Sequence, residues 1–342
     1  MVAAMSAARF LGLLLFAAAA TWGSAASAEC VAPPPPDPAP AAAAAPTTGA
    51  RLETAIGETQ IDAGKRVVAP VSINGQGPFR FIVDTGANRS VLSQQLADRL
   101  GLSSRSSGPV NSIEGVTIAP FVEVSSVSYR GIGLPSDPLP VLAGRMFAGE
   151  QGLLGVDGMQ GRRLLIDIEH GCVEITASRN APRLFGWTTI HGQLRFGDLV
   201  VAPGRIHGVR VNIIIDTGSD ASLANIALRD AVSAPIADDP QHANIVRAYT
   251  AGLPVALQGA VAVPTLEMGE LTVSHVFAYV GDFHVFQLWG LTQEPTLLLG
   301  MDVISQVRGV AIDYGRSIVQ FKLAQERQVG LVVGHSAMRS DY

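Results

Sequence analysis

Two short stretches carry the residues that could do chemistry. Phe81-Ile82-Val83-Asp84-Thr85-Gly86-Ala87 and Ile213-Ile214-Ile215-Asp216-Thr217-Gly218-Ser219 each end an apolar run in one acidic side chain. Two carboxyl groups held close together cannot both ionise, so one pKa falls, the other rises, and the pair keeps one proton. Across a water molecule such a pair has both halves of general acid–base catalysis. The ionised member takes a proton from the water, and the neutral member donates to a carbonyl oxygen. That chemistry suits amide hydrolysis and asks for no cofactor. Asp84 and Asp216 are the candidate pair, and the sequence does not say which is charged at rest.

The neighbours have physical reasons too. Gly86 and Gly218 let each loop turn tightly and let backbone approach a carboxylate. Thr85 and Thr217 carry hydroxyls that can bond the backbone of the opposite loop. Downstream, Leu153-Leu154-Gly155 and Leu298-Leu299-Gly300 can pack behind the loops.

The elements that must position these residues repeat. The two aspartates lie 132 positions apart (216 − 84). Val67-Val68-Ala69-Pro70 precedes the first, and Val200-Val201-Ala202-Pro203 precedes the second. Each leads through a glycine-containing turn, Asn74-Gly75 or His207-Gly208, into the strand that ends in the triplet. The pattern predicts a β-hairpin delivering each aspartate on the loop after its second strand. Ser90 and Ser222 each follow six positions later, where local hydrogen bonding is expected rather than nucleophilic attack. Helical stretches are predicted over Gln94 to Leu100 and Ala224 to Ala231. Gly155-Val156-Asp157 then matches Gly300-Met301-Asp302, and Ile166-Asp167 matches Ile312-Asp313, each before a closing strand, Val173 to Thr176 and Ile318 to Phe321. Asp157, Asp302, Asp167 and Asp313 read as turn or capping carboxylates.

Between triplet and closing glycine each half has room for a flap-like hairpin. Val110 to Ile118 with Gly115 near its tip is the first candidate, and Ile245 to Val255 with Gly252 near its tip the second. Tyr249 reads as an ordinary half-buried tyrosine, and His191, His207, His275 and His284 as surface or strand histidines.

Composition sets the frame. The chain has 342 residues, 48% apolar and 15% charged, with a net charge of −5. The 36 glycines and 21 prolines among short β-branched and aromatic runs predict an all-β protein with a few short helices. No basic patch suggests a nucleic-acid partner. The two cysteines, Cys30 and Cys172, and seven histidines show no metal-ligand spacing, so no metal is expected. The cysteines could pair in an exported protein or both stay free.

The N-terminus reads as an export leader over 1–28: Arg9, a short apolar stretch from Phe10 to Ala20, and small residues Ala26-Ser27-Ala28. A retained N-terminal anchor is the alternative, although the apolar stretch is short for a span, which needs about 20 residues. A Pro/Ala-rich spacer fills 29–50. The expected order continues with a first unit over 51–178, a second over 179–324 and a tail over 325–342, where Val329 to Val333 could form a strand.

These residues resemble the aspartic protease superfamily, in its retropepsin-like branch, and look most like bacterial exported enzymes with two retroviral-type units in one chain. The resemblance covers about Arg51 to Leu323. It implies a bilobal acid-protease fold and a chain acting as a monomer that is its own pseudo-dimer. It also implies an endopeptidase acting on extended polypeptide in the periplasm or outside the cell. The implied catalytic residues are Asp84 and Asp216, with Thr85, Gly86, Thr217 and Gly218 supporting the loops. Asp84-Thr85-Gly86-Ala87 matches the retroviral form of the motif. Asp216-Thr217-Gly218-Ser219 is closer to the pepsin form, whose extra hydroxyl can bond the aspartate. The Gly-Arg-Asp/Asn element of many retroviral enzymes is absent. A peptide-binding protein without catalysis on the same fold is the other reading, disfavoured because both aspartates and both threonines are present.

Overall fold

The computed structural model describes residues 54–58, 60–62, 65–135, 137–232 and 257–323. The expected leader, spacer, Cys30, second flap with Gly252, Tyr249 and the C-terminal tail lie outside these residues.

Each aspartate is delivered as the sequence pattern predicts. Strands Val67–Ile73 and Gln76–Val83 form one hairpin, and Leu199–Ile206 and Val209–Ile215 the other. The turns between them, Asn74-Gly75 and His207-Gly208, have positive φ at both positions (53° and 72°, 50° and 80°). Tight two-residue hairpin turns require that geometry, and Asn-Gly meets it at least strain.

Behind each hairpin a short apolar strand threads the sheet. Gly152–Leu154 runs parallel to Gln76–Val83 and antiparallel to Val91–Ser93. Thr296–Leu299 runs parallel to Val209–Ile215 and antiparallel to Ser222–Ala224. Both inserted strands are buried along their whole length. This explains their uninterrupted apolar sequence, since a strand covered on both faces shows no polar alternation. In each half the strand after the triplet then pairs in parallel with a later one, Val91–Ser93 with Leu139–Leu142 and Ser222–Ala224 with Leu271–Gly281. The two halves therefore share one topology.

A third sheet joins them. Strand Arg162–Asp167 pairs with Gly309–Asp313 across the lobe boundary, Leu165 opposite Ala311. Cys172–Ala177 and Thr54–Glu58 extend this sheet on one side, Ile318–Lys322 and Thr188–His191 on the other. One apolar core runs continuously through both halves, from Val67 to Phe321. The fold is all-β and bilobal. Among the described residues the α-helices are short, Gln94–Arg99, Ile226–Val232, His284–Leu288 and Met301–Ile304, and none is long and apolar enough to cross a membrane. The first helix begins where Ser93 accepts a hydrogen bond from the Leu96 N–H. Cys172 is disulfide-bonded.

Candidate active site

The inserted strands fix the two Asp-Thr-Gly loops through backbone bonds. The Asp84 N–H donates to the Leu154 carbonyl at 2.9 Å, and the Asp216 N–H to the Leu299 carbonyl at 3.0 Å. Just beyond, Val156 N–H reaches the Ala87 carbonyl, and Met301 N–H the Ser219 carbonyl, both at 2.9 Å. Glycine is needed at Gly155 and Gly300 because a Cβ would fall 2.5 Å from backbone atoms of Arg89 and Ala221 respectively. The Leu-Leu-Gly elements are thus the backing of the loops, as their sequence suggests.

The threonines tie the loops together across the lobe boundary. Thr85 N–H donates to Thr217 Oγ1 (3.2 Å), and Thr217 N–H donates to Thr85 Oγ1 (3.1 Å). Each hydroxyl then donates at 2.6 Å to the carbonyl that precedes the opposite aspartate, Thr85 to Ile215 and Thr217 to Val83. Both side chains are buried. Four hydrogen bonds closed on each other in a dry interior polarise one another and hold one geometry.

The carboxyl groups of Asp84 and Asp216 lie beside each other at this grip, each against the glycine of the other loop. Gly86 N–H donates to Asp84 Oδ1 at 3.0 Å, and Gly218 N–H to Asp216 Oδ1 at 2.9 Å. Each glycine also lies against the other lobe's aspartate. A Cβ on Gly86 would fall 2.6 to 2.9 Å from the Asp216 carboxyl atoms, and one on Gly218 would fall 2.2 to 2.4 Å from those of Asp84.

The two acids are not equivalent. Burial, and then the negative charge of Asp84, push Asp216 up to about 8. Burial also raises Asp84, but the backbone N–H groups of Gly86 and Ala87 and the Arg66 guanidinium favour its ionised form. Both carboxyls are raised by burial, so the pair holds a proton between them. Tyr314, buried beneath, has its phenol raised by burial and by the charge of Asp84.

Several site residues were not visible in the sequence. The sequence predicts local hydrogen bonding for Ser90 and Ser222; instead both reach far along the chain. Ser90 Oγ donates to Asp157 (2.7 Å) and accepts from Gly155 N–H (3.1 Å). Ser222 Oγ donates to Asp302 (2.8 Å) and accepts from Gly300 N–H (3.0 Å). Asp157 and Asp302 are therefore the partners of these serines, bracing each loop to its inserted strand, while Asp167 and Asp313 stand at strand ends as expected. The matching offsets in the two halves were the available signal. Ser219 departs from the pepsin-like expectation: its hydroxyl donates to the Ala221 carbonyl at 2.7 Å, and its backbone N–H, not its side chain, serves Asp216. Arg66, unremarked in the sequence, bonds the Gly218 carbonyl at 3.5 Å.

The first flap is longer than its sequence pattern predicts. Strands Ser104–Asn111 and Val116–Val122 pair along their length, and Gly115 lies in the tip, where its carbonyl accepts from Ser112 N–H. The tip crosses to the other lobe. His284 N–H donates to the Ile113 carbonyl, and His284 Nε2 contacts Asn111 Oδ1, both at 2.9 Å. His284 is thus a helix-start residue that receives the flap.

Other features lie apart from the dyad. A surface hollow of about 680 Å³, lined by residues such as Arg205, Asn212 and Glu267 on the second lobe, contains neither aspartate. Asp167, Glu169 and His170 cluster at one edge. There His170 bonds Asp167, and Arg308 and Lys322 pair with Glu169, so those charges serve the fold.

Comparison with known families matches the sequence pattern of an aspartyl protease family to residues 69–157 and again to 202–303. No match was found among curated proteins. The two matched stretches each contain one Asp-Thr-Gly loop and the inserted strand behind it, the same duplication that the sheets display. On this double match, over more than half of its length, the chain belongs to the retropepsin-like aspartyl proteases.

Proposed function

We propose that the protein is an endopeptidase in which Asp84 and Asp216 hydrolyse peptide bonds of extended polypeptide through one shared water molecule. The observation that carries this reading is the placing of the two carboxyl groups side by side, each against the other loop's glycine, within a reciprocal backbone frame. Asp84, the ionised member, takes a proton from the water as it attacks the scissile carbonyl carbon. Asp216, the neutral member, donates to the carbonyl oxygen as the tetrahedral species forms. The C–N bond then breaks, the proton held by Asp84 passes to the leaving amine, and Asp216 recovers its own from the new carboxylic acid. The glycine and threonine contacts hold both acids in place before substrate arrives, so little reorganisation accompanies the reaction. With Asp216 buried and the flap seated on His284, a polypeptide reaches the dyad when the flap lifts.

The test is incubation with a diverse peptide pool over a range of pH, beside the Asp84→Asn variant. Cuts made by the wild type and absent from the variant support the reading. Peptide binding without cuts would instead favour the non-catalytic alternative. Export is a further part of the proposal, supported by the leader-like N-terminus. N-terminal sequencing of protein recovered outside the cytoplasm tests it.

A further inference from the structure

The duplicated loops are chemically alike, yet among the described residues the cation that reaches them, Arg66, comes from the first half. Arg66 immediately precedes strand Val67–Ile73. The equivalent position before Val200 is Leu199, an apolar side chain buried in the core. Ser219, where the first loop has Ala87, turns its hydroxyl away to the Ala221 carbonyl. The side chains of the two loops therefore do not by themselves tell the two acids apart, whereas the placing of Arg66 does.

Arg66 is held in one orientation. Its backbone N–H and Nε bond the two carboxylate oxygens of Asp62 at 2.8 and 2.7 Å, and Nη2 pairs with Asp62 Oδ2 at 2.7 Å. The remaining Nη1 faces the other way. It donates to the Met146 carbonyl at 2.8 Å and, across the lobe boundary, to the Gly218 carbonyl at 3.5 Å. Gly218 is the residue that lies against the Asp84 carboxyl. The guanidinium is thus fastened on its far edge by Asp62, whose side chain is 1% exposed, and presents its near edge to the loop that touches Asp84.

We propose that Arg66 is a positioning residue that makes the two aspartates unequal, keeping the negative charge of the pair on Asp84 so that Asp84 serves as base and Asp216 as acid. This rests on the endopeptidase reading given above. The charged and titratable groups around the arrangement are few. Asp62 faces Arg66, with the Arg80–Glu150 pair further out. Asp216 and Tyr314 face Asp84 along with Arg66 itself. Of these, Arg66 is the cation that lowers Asp84. Asp62 anchors the guanidinium from the side remote from Gly218.

The experiment compares kcat/KM against pH for the wild type, Arg66→Met and Arg66→Lys on one peptide. A cation favours the ionised carboxylate, so its removal raises the pKa of Asp84. The acid limb of Arg66→Met should move up by about one pH unit, and Arg66→Lys, which keeps the charge, should restore it. A lower kcat with the acid limb unmoved, the same in both variants, would overturn the proposal and leave Arg66 a structural role only. If Arg66→Met does not fold, the order of ionisation is read on the wild type by carboxyl-carbon NMR, assigned with Asp84→Asn and Asp216→Asn. Asp84 ionising first supports the proposal, and Asp216 ionising first overturns it. A wild type that cuts no peptide would defeat the endopeptidase reading, while the same NMR titration run on Arg66→Met and Arg66→Lys would still judge the role of Arg66.

Discussion

Gly218 presses against the carboxyl group of Asp84: a Cβ at that position would lie 2.2 Å from Asp84 Cγ, well inside any real contact. The residue belongs to one lobe and the acid to the other. The loop of the second half therefore forms a wall of the pocket for the first half's acid, and Gly86 does the same for Asp216. Each triplet contains the group that reacts and the space its partner needs.

Gly218→Ala is expected to displace Asp84 while leaving the sheets intact. A misplacement of about 1 Å in a reacting group costs about a hundredfold in rate. The measurement is kcat/KM on a cleavable peptide, with circular dichroism to confirm the fold. A Gly218→Ala enzyme that folds and works at the wild-type rate would refute the close approach.

The threonine grip predicts a stability effect with a signature of coupling. Thr85→Val keeps the shape but leaves Thr217 N–H and the Ile215 carbonyl without their buried partners. Each such orphan costs about 1–3 kcal/mol. Thr217→Val should behave alike. The double variant should lose less than the sum, because both side chains belong to one closed network. Urea unfolding of the four proteins checks this, and strict additivity would argue that the bonds act separately.

The pH dependence follows from the direction of the shifts. Asp216 holds its proton to about 8 in the folded protein, against 3.8 for an unperturbed aspartate. Folding therefore takes up a proton in that window. The stabilisation is fully present below about 4 and is lost as pH rises towards 8. Asp216→Asn, which resembles the protonated acid at every pH, should melt like the wild type in acid and above it near pH 8, by several degrees. Activity should trace a bell, rising as Asp84 ionises and falling as Asp216 loses its proton. A melting difference that does not change with pH would contradict the shared-proton arrangement.

The flap contact predicts a smaller effect. Asn111→Ala removes the bond to His284 Nε2 and leaves the backbone bond from His284 N–H to the Ile113 carbonyl. An exposed neutral hydrogen bond contributes about 1 kcal/mol, so the association rate of a tight-binding peptide inhibitor should rise about threefold to fivefold. An unchanged or slower association would mean that this contact does not restrain access.

The fold and the dyad were legible because their signals are contiguous or repeated. Asp84 and Asp216 end uninterrupted apolar runs, the Asn74-Gly75 turn states its own geometry, and duplication let each half check the other. Ser90 with Asp157, and Ser222 with Asp302, were read as local groups because each pair is closed by the inserted strand, 67 and 80 positions along the chain. Nothing near a serine in sequence announces such a partner. Arg66 was missed for a related reason. Its neighbours in the chain explain its pairing with Asp62, but its contact with Gly218 spans 152 positions and exists only once the lobes meet. His284 likewise becomes meaningful only when the flap of the other lobe reaches it.

The central claim is that two acids from separate halves of one chain act together on a peptide bond. Its most direct test is kcat/KM for wild type, Asp84→Asn and Asp216→Asn on the best peptide from the pool, at a pH below 8 where the wild type is most active. The account predicts that each single replacement abolishes cleavage while the melting transition persists. Either variant folding and cutting at the wild-type rate would contradict it.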